Sequence, residues 1–581
     1  MKRSLFFSAI ATVVVVLLLI GVGGFYWINS QSPLSLLRGG TTNTPEAAIF
    51  VPKQAPAMVS LLVNPEKLES LRQLAARPSD RRQSRQELER FKSSLLASSS
   101  LDYRQDIQPW LGEEVTLALT SPDIDRDATN GNQPGYLMVL TSRNPAKSRE
   151  FLQLLFSQRA IAGRDLVSET YQGVNIFSDR DRVNVGAHSR APLQERISLV
   201  GAAVGDRFIL FANHPKVLRE AINNVQAPDL SLNDSAQYQH ALSLLPTERI
   251  GIIFLNLPQV TTLLGKEPQE QIYDSQIIGL KLNPQGIVAE TSITANQTEL
   301  APAGKMLSEP VQALQYLPTT TNLAIAGLDL SYLQNTNLNQ LWRQITPVLS
   351  GSSHDAISRL IAQPLAKLQD SWGINISQDI FSWVQGEYAL GMLPQKDAST
   401  SADWIFIAEK SEGTDLAIER FNAIAENQGL SITPLFSGEQ KIYAWTQLNT
   451  VPSSPSELGD RSLLTLKAKV QGVYTTIDKY EIFTSSVAAM DAALKAAETD
   501  SLLKSSQFQS AIKAIPQPNQ GYLYLDLPRS REILERQLPL VKLLEVAAKP
   551  FFDKTQSITV SSYGDRTDVL QGSIVLRLGS N

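Results

Sequence analysis

The chain has 581 residues, with 52 basic and 57 acidic side chains, a formal net charge of −5 at pH 7 and 43% hydrophobic residues. This composition is typical of a globular protein, and the length favours two or more domains. The slightly acidic balance gives no general attraction for nucleic acid, so no nucleic-acid partner is expected. Zero Cys excludes disulfides, thiolate nucleophiles and Cys-ligated metals, and the HExxH spacing is absent, so no cofactor or metal is expected.

The N-terminal segment, residues 1–29, has the pattern of a signal anchor. Lys2 and Arg3 precede an uncharged run of 24 residues from Leu5 to Ile28. As a helix this run would reach about 36 Å, enough to cross a hydrocarbon core of about 30 Å. The pattern predicts a single-pass transmembrane helix with a cytoplasmic N-terminus and the bulk of the chain in the periplasm or the thylakoid lumen. A removed signal peptide is the alternative, because small glycines stand near the end of the run.

Residues 30–46 are rich in Pro, Gly, Ser and Thr and are predicted to form a flexible tether. A strand is predicted at Ala57–Val63, followed by two helices, the second at about Ser84–Ala97. The basic run ahead of and within this second helix contains Arg81, Arg82 and Arg85. These three side chains are candidates for contact with an anionic membrane surface, and an ordinary solvated helix face is the favoured alternative.

A stretch of fifteen residues occurs twice, as QDIQPWLGEEVTLAL at Gln105–Leu119 and as QDIFSWVQGEYALGM at Gln378–Met392. Six paired positions are identical, where chance would give roughly one. The stretch therefore indicates an internal duplication. In the first copy, Asp106 is predicted to cap a short helix that ends at Gly112, and a strand is predicted at Glu114–Thr120.

Other segments repeat in the same order, at offsets of 266 to 273 residues. The clearest pair is GIIFLNLP at Gly251–Pro258 and GYLYLDLP at Gly521–Pro528. We therefore predict two related domains, at residues 47–300 and 306–581. Within the first, a helix at Pro215–Val225, a strand at Gly251–Leu257 and a closing hairpin with arms at Ile277–Leu282 and Gly286–Thr294 are predicted.

The succession of short strands without long helical crossovers predicts the α+β class. In full, the predicted architecture is an N-terminal transmembrane helix followed by two tandem, internally duplicated domains of largely antiparallel sheets with helices packed on one side. A loop is predicted at Asn449–Arg461, which is rich in Pro and Ser.

The candidate binding or structural residues are those that the duplicated stretch repeats: Asp106, Trp110, Glu114, Asp379, Trp383 and Glu387. A paired-carboxylate hydrolase would need such acidic groups to face each other. The structural interpretation is favoured, in which Asp caps the short helix, Trp fills the core and Glu opens the strand. No catalytic residue is assigned, because no GxSxG and no Walker A sequence is present.

The stretch Asp106–Val115 resembles an uncharacterised family of membrane-anchored proteins of the cyanobacterial type, which carry a domain of unknown function over nearly the whole part after the anchor. The second copy departs from it at six positions, the first of which is Phe381. The resemblance implies a location and a fold, and no activity or site residues.

Together these features predict a membrane-anchored extracytoplasmic binding or scaffolding protein without catalytic activity, with a protein partner in the envelope or thylakoid. Two alternatives stay open. One is a carrier of a hydrophobic or lipid-like ligand, suggested by the apolar segment Arg531–Phe552. The other is a carboxylate-dependent envelope hydrolase.

Overall fold

The structure is a computed structural model that falls into two compact units, unit 1 within Met1–Thr298 and unit 2 within Glu299–Gly579. It describes residues 41–64, 102–125, 133–180, 199–263, 273–283, 286–295, 305–331, 380, 382–394, 402–452, 464–531, 555–564 and 569–578.

Unit 1 contributes ten strands that form one antiparallel array. In chain order its elements are a 3₁₀ turn (Glu46–Phe50), β1 (Ala57–Leu61), a π-helical turn (Tyr103–Ile107), β2 (Leu111–Ser121), β3 (Gly135–Ser142), α1 (Pro145–Ile161), β4 (Asp165–Tyr171), β5 (Val174–Arg180), β6 (Val200–Val204), β7 (Phe208–Ala212), α2 (Pro215–Gln226), a 3₁₀ turn (Pro228–Leu230), α3 (Ala236–Ser243), β8 (Gly251–Asn256), α4 (Leu257–Leu263), β9 (Tyr273–Asn283) and β10 (Gly286–Ala295). The strand pairings give the order β10-β9-β8-β1-β2-β3-β7-β6-β5-β4.

Unit 2 also contributes ten strands. Its elements are a 3₁₀ turn (Gln312–Tyr316), β11 (Leu323–Leu328), β12 (Glu387–Met392), β13 (Trp404–Glu409), α5 (Thr414–Asn427), β14 (Ser431–Ser437), β15 (Gln440–Pro452), β16 (Leu464–Ile477), β17 (Tyr480–Thr484), α6 (Val487–Glu498), a 3₁₀ turn (Leu502–Lys504), α7 (Ser506–Ile512), β18 (Gly521–Asp526), β19 (Thr555–Tyr563) and β20 (Val569–Leu578). The pairings give the order β20-β19-β18-β11-β12-β13-β17-β16-β15-β14. Each strand of unit 2 therefore occupies the place of the strand numbered ten lower in unit 1.

Four helices, α1, α3, α6 and α7, begin where a short polar side chain accepts from one of the first free backbone N–H groups. The Asn144 side chain accepts from the N–H of Lys147 ahead of α1, and Ser486 accepts from Ala489 ahead of α6. Pro145 stands at the first position of α1, where its missing N–H removes no helical hydrogen bond.

One aromatic cluster in each unit packs a helix on the sheet at equivalent positions. In unit 1 the ring of Phe151 on α1 lies 5.1 Å from Trp110 and 6.5 Å from Phe211 on β7. In unit 2 the ring of Phe483 on β17 lies 6.2 Å from Trp383 and 5.8 Å from Phe421 on α5. Both tryptophans are buried, at 1% and 4% exposure, so each indole contributes apolar area to its core.

The predicted α+β class is wrong. The described residues form an antiparallel β structure of twenty strands, and their helices are few, the longest being the 17-residue α1. The error arose in strands whose side chains are mostly polar or exposed, such as β4, because backbone pairing does not require the apolar alternation from which strands are predicted. At the predicted loop Asn449–Arg461, β15 continues to Pro452 and the rest lies outside the described residues.

The predicted single-pass signal-anchor helix also finds no support. None of the helices in the described ranges combines the length and the apolar character needed to cross a membrane. The segment 1–29, residues 30–40 of the predicted tether and the helix at about Ser84–Ala97 lie outside the described residues. The predicted domain boundaries at 47–300 and 306–581 stay predictions.

The start of β18 supplies a test of the fold. Gly521 has φ +128°, and a Cβ there would lie 2.8 Å from the backbone oxygen of Ala326 on β11. We expect Gly521→Ala to lower the free energy of unfolding by about 2–3 kcal/mol, because both the backbone conformation and the contact would be strained. Denaturant unfolding measures this loss.

The matched control is Gly251→Ala at the start of β8. There the Cβ would lie 3.0 Å from the oxygen of Ser60, and φ is not in the left-handed region. A loss at Gly251 equal to or larger than that at Gly521 would contradict the strand arrangement at this point.

Candidate functional site

Glu114, on β2, holds the first turn of unit 1 in place. Its Oε2 accepts from the N–H of Glu46 at 2.8 Å, and its Oε1 accepts from the N–H of Ala47 at 3.1 Å. These N–H groups open the 3₁₀ turn Glu46–Phe50 and have no partner within it, so the carboxylate acts as a cap supplied from 67 to 68 residues away in sequence.

A chain of hydroxyls extends the Glu114 contact across the sheet. Thr116 Oγ1 lies 2.7 Å from Glu114 Oε1 and 2.7 Å from Ser60 Oγ on β1. The Thr116 hydroxyl therefore donates to the carboxylate and accepts from Ser60. Burial raises the pKa of the Glu114 carboxyl, and the hydrogen bonds from Thr116, Ala47 and Glu46 oppose that shift.

Glu387, on β12, makes the equivalent contact in unit 2. Its Oε2 accepts from the N–H groups of Gln312 at 3.0 Å and Ala313 at 3.3 Å, which open the 3₁₀ turn Gln312–Tyr316. The same oxygen accepts from the hydroxyl of Tyr480 at 2.5 Å. The repeated glutamate thus joins the turn before the first strand to the second strand in both units.

The surroundings of the two glutamates differ. The hydroxyl pair of unit 1, Ser60 and Thr116, is replaced in unit 2 by the directly paired Ala326 and Ala389. Tyr480 opens β17, where unit 1 has Phe208 at the start of β7. The carboxylate therefore receives its third hydrogen bond from Thr116 in unit 1 and from Tyr480 in unit 2.

Asp106 has a different role from the predicted helix cap. Asp102 caps the π-helical turn by accepting from the N–H groups of Arg104 and Gln105, and Asp106 accepts from the N–H of Asp102 at 2.7 Å. The carbonyl of Asp106 accepts from the indole N–H of Trp110 at 2.6 Å. These hydrogen bonds position the Trp110 side chain. The sequence analysis did not identify Asp102 as the cap, because one Asp ahead of a short turn is a weak sequence pattern.

The remaining predicted site residues cannot be placed. Asp379 and the basic residues Arg81, Arg82 and Arg85 lie outside the described residues. Within the ranges that are described, no three His, Asp or Glu side chains are grouped as metal ligands. Asp106 and Glu114 bind the backbone N–H groups of different residues, and no hydrogen bond among the described residues links the two carboxylates.

Two buried polar side chains of unit 1 escaped the sequence analysis. Tyr238 on α3 and Arg249, two residues before β8, are 1% and 6% exposed. In the part of the chain that the structure describes, the Tyr238 hydroxyl and the Arg249 Nε and Nη1 atoms have no hydrogen-bond partner. Burial lowers the pKa of Arg249 and raises that of Tyr238, and the charges of Glu114 and Arg249 act on Tyr238 in opposite directions. The sequence does not indicate that Arg249 is buried, because Arg side chains are usually exposed.

The raised pKa of Glu114 predicts a pH dependence of stability. A carboxyl whose pKa is higher in the folded than in the unfolded chain favours folding below its unfolded pKa, and that contribution is lost as the pH rises through the folded pKa. We expect the free energy of unfolding of the wild type, relative to Glu114→Gln, to fall as the pH rises above the ordinary glutamate pKa of 4.5 and through the raised pKa. Denaturant titrations of both proteins across this range measure the difference; a relative gain by the wild type would contradict the assignment.

The Tyr480 contact predicts a second effect. Tyr480→Phe gives unit 2 the residue that unit 1 has at this position and removes one hydrogen bond to the Glu387 carboxylate. We expect a loss of about 1.5–3 kcal/mol in the free energy of unfolding. Tyr443→Phe is the control, since the Tyr443 hydroxyl makes no hydrogen bond among the described residues and its ring stacks on Tyr474. Equal losses in the two variants would show that the Glu387 contact is not the cause.

Comparison with known proteins gives a family and no function. No curated protein matches the chain. Solved structures of TP0453 are similar over part of the chain: crystal form I at 12% identity, covering 46% of this chain and 80% of that one with a TM-score of 0.21, and crystal form III at 9% identity, covering 46% and 91% with a TM-score of 0.23. At such TM-scores the similarity supports no conclusion about fold or function. The family model described as "Protein of unknown function (DUF3352)" matches residues 10–578, and the chain therefore belongs to the DUF3352 family.

Proposed function

We propose that the chain is an exported, non-catalytic binding or scaffolding protein that takes an extended polypeptide of a partner protein on the outer edge of β4. The observation that carries this proposal is the open edge of unit 1. Among the described residues β4 pairs only with β5, and it is the last strand of the unit 1 order. Unpaired backbone groups on a strand edge are a template for an added strand.

The register of the β4–β5 hairpin defines which groups face outward. Tyr171 and Val174 flank the two-residue turn Gln172-Gly173, whose residues have φ of +51° and +79°. In such a turn the flanking residues form a hydrogen-bonded pair, and pairs alternate from there. Ser168, three residues before Tyr171, is in a non-hydrogen-bonded pair with Phe177, so its N–H and carbonyl point away from β5.

Side chains on β4 add apolar contact to the open backbone. Leu166 is 41% exposed, and Val167 beside it is also exposed. Their side chains lie on opposite faces of the strand, so an added strand would meet an apolar residue on each face. Backbone hydrogen bonds supply affinity in this mode of recognition, and alternate side chains supply specificity.

Unit 2 closes the equivalent edge. Pro434 on β14 stands three residues before Ser437, the last residue before the turn, as Ser168 stands before Tyr171. Proline has no N–H, and in sheets it is confined to edges where the missing donor faces outward. The second edge therefore lacks the central outward donor that the first edge keeps. This difference favours strand addition in unit 1.

The hydrolase alternative lost its best candidates. Asp106 accepts from the N–H of Asp102, Glu114 accepts from the N–H groups of Glu46 and Ala47, and these contacts account for both carboxylates. For the hydrophobic-ligand carrier, the apolar segment that suggested it, Arg531–Phe552, lies outside the described residues except Arg531. Neither alternative has an observation that favours it over polypeptide binding.

Export is the part of the predicted location that we retain in the proposal. It is supported by Lys2 and Arg3 ahead of the uncharged run Leu5–Ile28, a pattern shared with removable export signals. The envelope or thylakoid setting of the partner and the cyanobacterial type of the family stay predictions.

Photocrosslinking in the cells that produce the protein tests strand addition. With a photoreactive p-benzoylphenylalanine in place of Leu166, we expect a covalent adduct with one partner protein. Adding Ser168→Pro should reduce that adduct about tenfold, because it removes the outward donor and places a ring against the incoming strand. Since the Ser168 N–H makes no bond to β5, the hairpin itself should keep its structure.

The control places the same photoreactive residue at Phe436 on β14, which is 73% exposed. We expect no corresponding adduct there, since Pro434 blocks that edge. An adduct at Leu166 that survives Ser168→Pro unchanged, or an equal adduct at Phe436, would refute strand addition at β4.

A further inference from the structure

The hairpin of β15 and β16 in unit 2 extends beyond the strands on either side of it. β14 pairs with β15 only as far as Thr446, and β17 pairs with β16 only as far as Val473. Beyond these points β15 and β16 stay paired with each other over residues 447–452 and 464–469, which we call the arm. A ribbon of two strands alone is only marginally stable in water, so the arm would gain stability from a third strand.

The register of β14 and β15 shows which backbone groups of the arm face outward. Ser437 and Gln440 flank a two-residue turn, so they form a hydrogen-bonded pair, and such pairs alternate from there to Thr446. The bulge in the β15–β16 pairing inserts its extra residue in β16, so the alternation continues along β15. Beyond the end of β14, the N–H and carbonyl groups of Leu448 and Thr450 therefore point away from β16. Among the described residues no strand pairs with them on that side.

The two edges of the arm differ in charge. Residues 447–452 of β15 include no charged side chain, and Leu448 is 58% exposed. On β16 the cationic side chain of Lys469 is exposed. Lysines on a strand edge hinder the addition of another strand, and two copies of this edge would bring like charges together. Strand addition to the arm is therefore favoured at β15.

We propose that two copies of the chain pair through the outer edges of β15, antiparallel and related by a two-fold axis at Asn449. The edge is self-complementary, because Leu448 of each copy then stands opposite Thr450 of the other and the two residues exchange backbone hydrogen bonds. The two Leu448 side chains lie diagonally across the pair on one face. Pro452 has no N–H and ends the edge. This dimer is independent of polypeptide binding at β4 and would carry two β4 edges.

A cysteine at the two-fold axis tests the register, since the chain has no Cys of its own. Asn449 of the two copies would form a non-hydrogen-bonded pair with Cα atoms about 4.5 Å apart, within the range that a disulfide spans. We expect the full-length Asn449→Cys protein to form a disulfide-linked dimer on mild oxidation. Gln447→Cys is the matched control: the two copies of this residue would lie about 13 Å apart and should give about tenfold less linked dimer.

Removal of an outward N–H tests the pairing itself. Analytical ultracentrifugation of the full chain in detergent should show a dimer that dissociates on dilution. Thr450→Pro should weaken dimerisation about tenfold, whereas Thr450→Ala keeps the N–H and should leave it unchanged. If Thr450→Pro fails to fold, the comparison of Asn449→Cys with Gln447→Cys decides. A wild type that is monomeric at every concentration, equal crosslinking by the two cysteine variants, or a Thr450→Pro dimer as stable as that of the wild type would each overturn the proposal.

Discussion

The contact on which each unit depends is a glutamate carboxylate that binds the first backbone N–H groups of a 3₁₀ turn. Glu114 and Glu387 both stand near the start of the second strand, and each binds a turn 67 to 75 residues earlier in the chain. Capping groups usually come from the turn itself, within a few residues. Here the cap joins the turn to the centre of the sheet, beside contacts such as the hydrogen bond from the Asn224 side chain to the carbonyl of Phe50.

The two units stabilise this carboxylate with hydrogen bonds from different side chains. In unit 1, Thr116 donates to Glu114 within a chain of hydroxyls, and burial still raises the pKa of the glutamate. In unit 2, Tyr480 supplies a phenol at 2.5 Å, while alanines fill the hydroxyl positions. Because the two units share a topology, each position in one unit can be compared with the equivalent position in the other. By that comparison, unit 1 has Ser168 and the buried Arg249 where unit 2 has Pro434 and Asn519.

Much of the local structure could be predicted from the sequence. The helix expected at Pro215–Val225 is α2, and the strand expected at Gly251–Leu257 is β8, because their apolar spacing and flanking Pro or Gly are strong local signals. The hairpin around Asn283 and Gly286 also lies where the turn residues predicted it. The fold class could not be predicted, since polar strands such as β4 are held by backbone pairing that side chains do not report.

The site residues were predictable only in part, for a similar reason. Glu114 was singled out because it repeats, yet its partners are the N–H groups of Glu46 and Ala47, which have no sequence signature. The contrast between Ser168 and Pro434 has meaning only once the hairpin register is known.

Backbone hydrogen exchange, followed by mass spectrometry on the protein alone and on the complex isolated from its own cells, tests the central claim that unit 1 offers an open edge. The account predicts that the outward amides of Leu166, Ser168 and Thr170 exchange rapidly alone and become protected in the complex, while β14 does not change. Protection of β14 instead, or of neither strand, would contradict it.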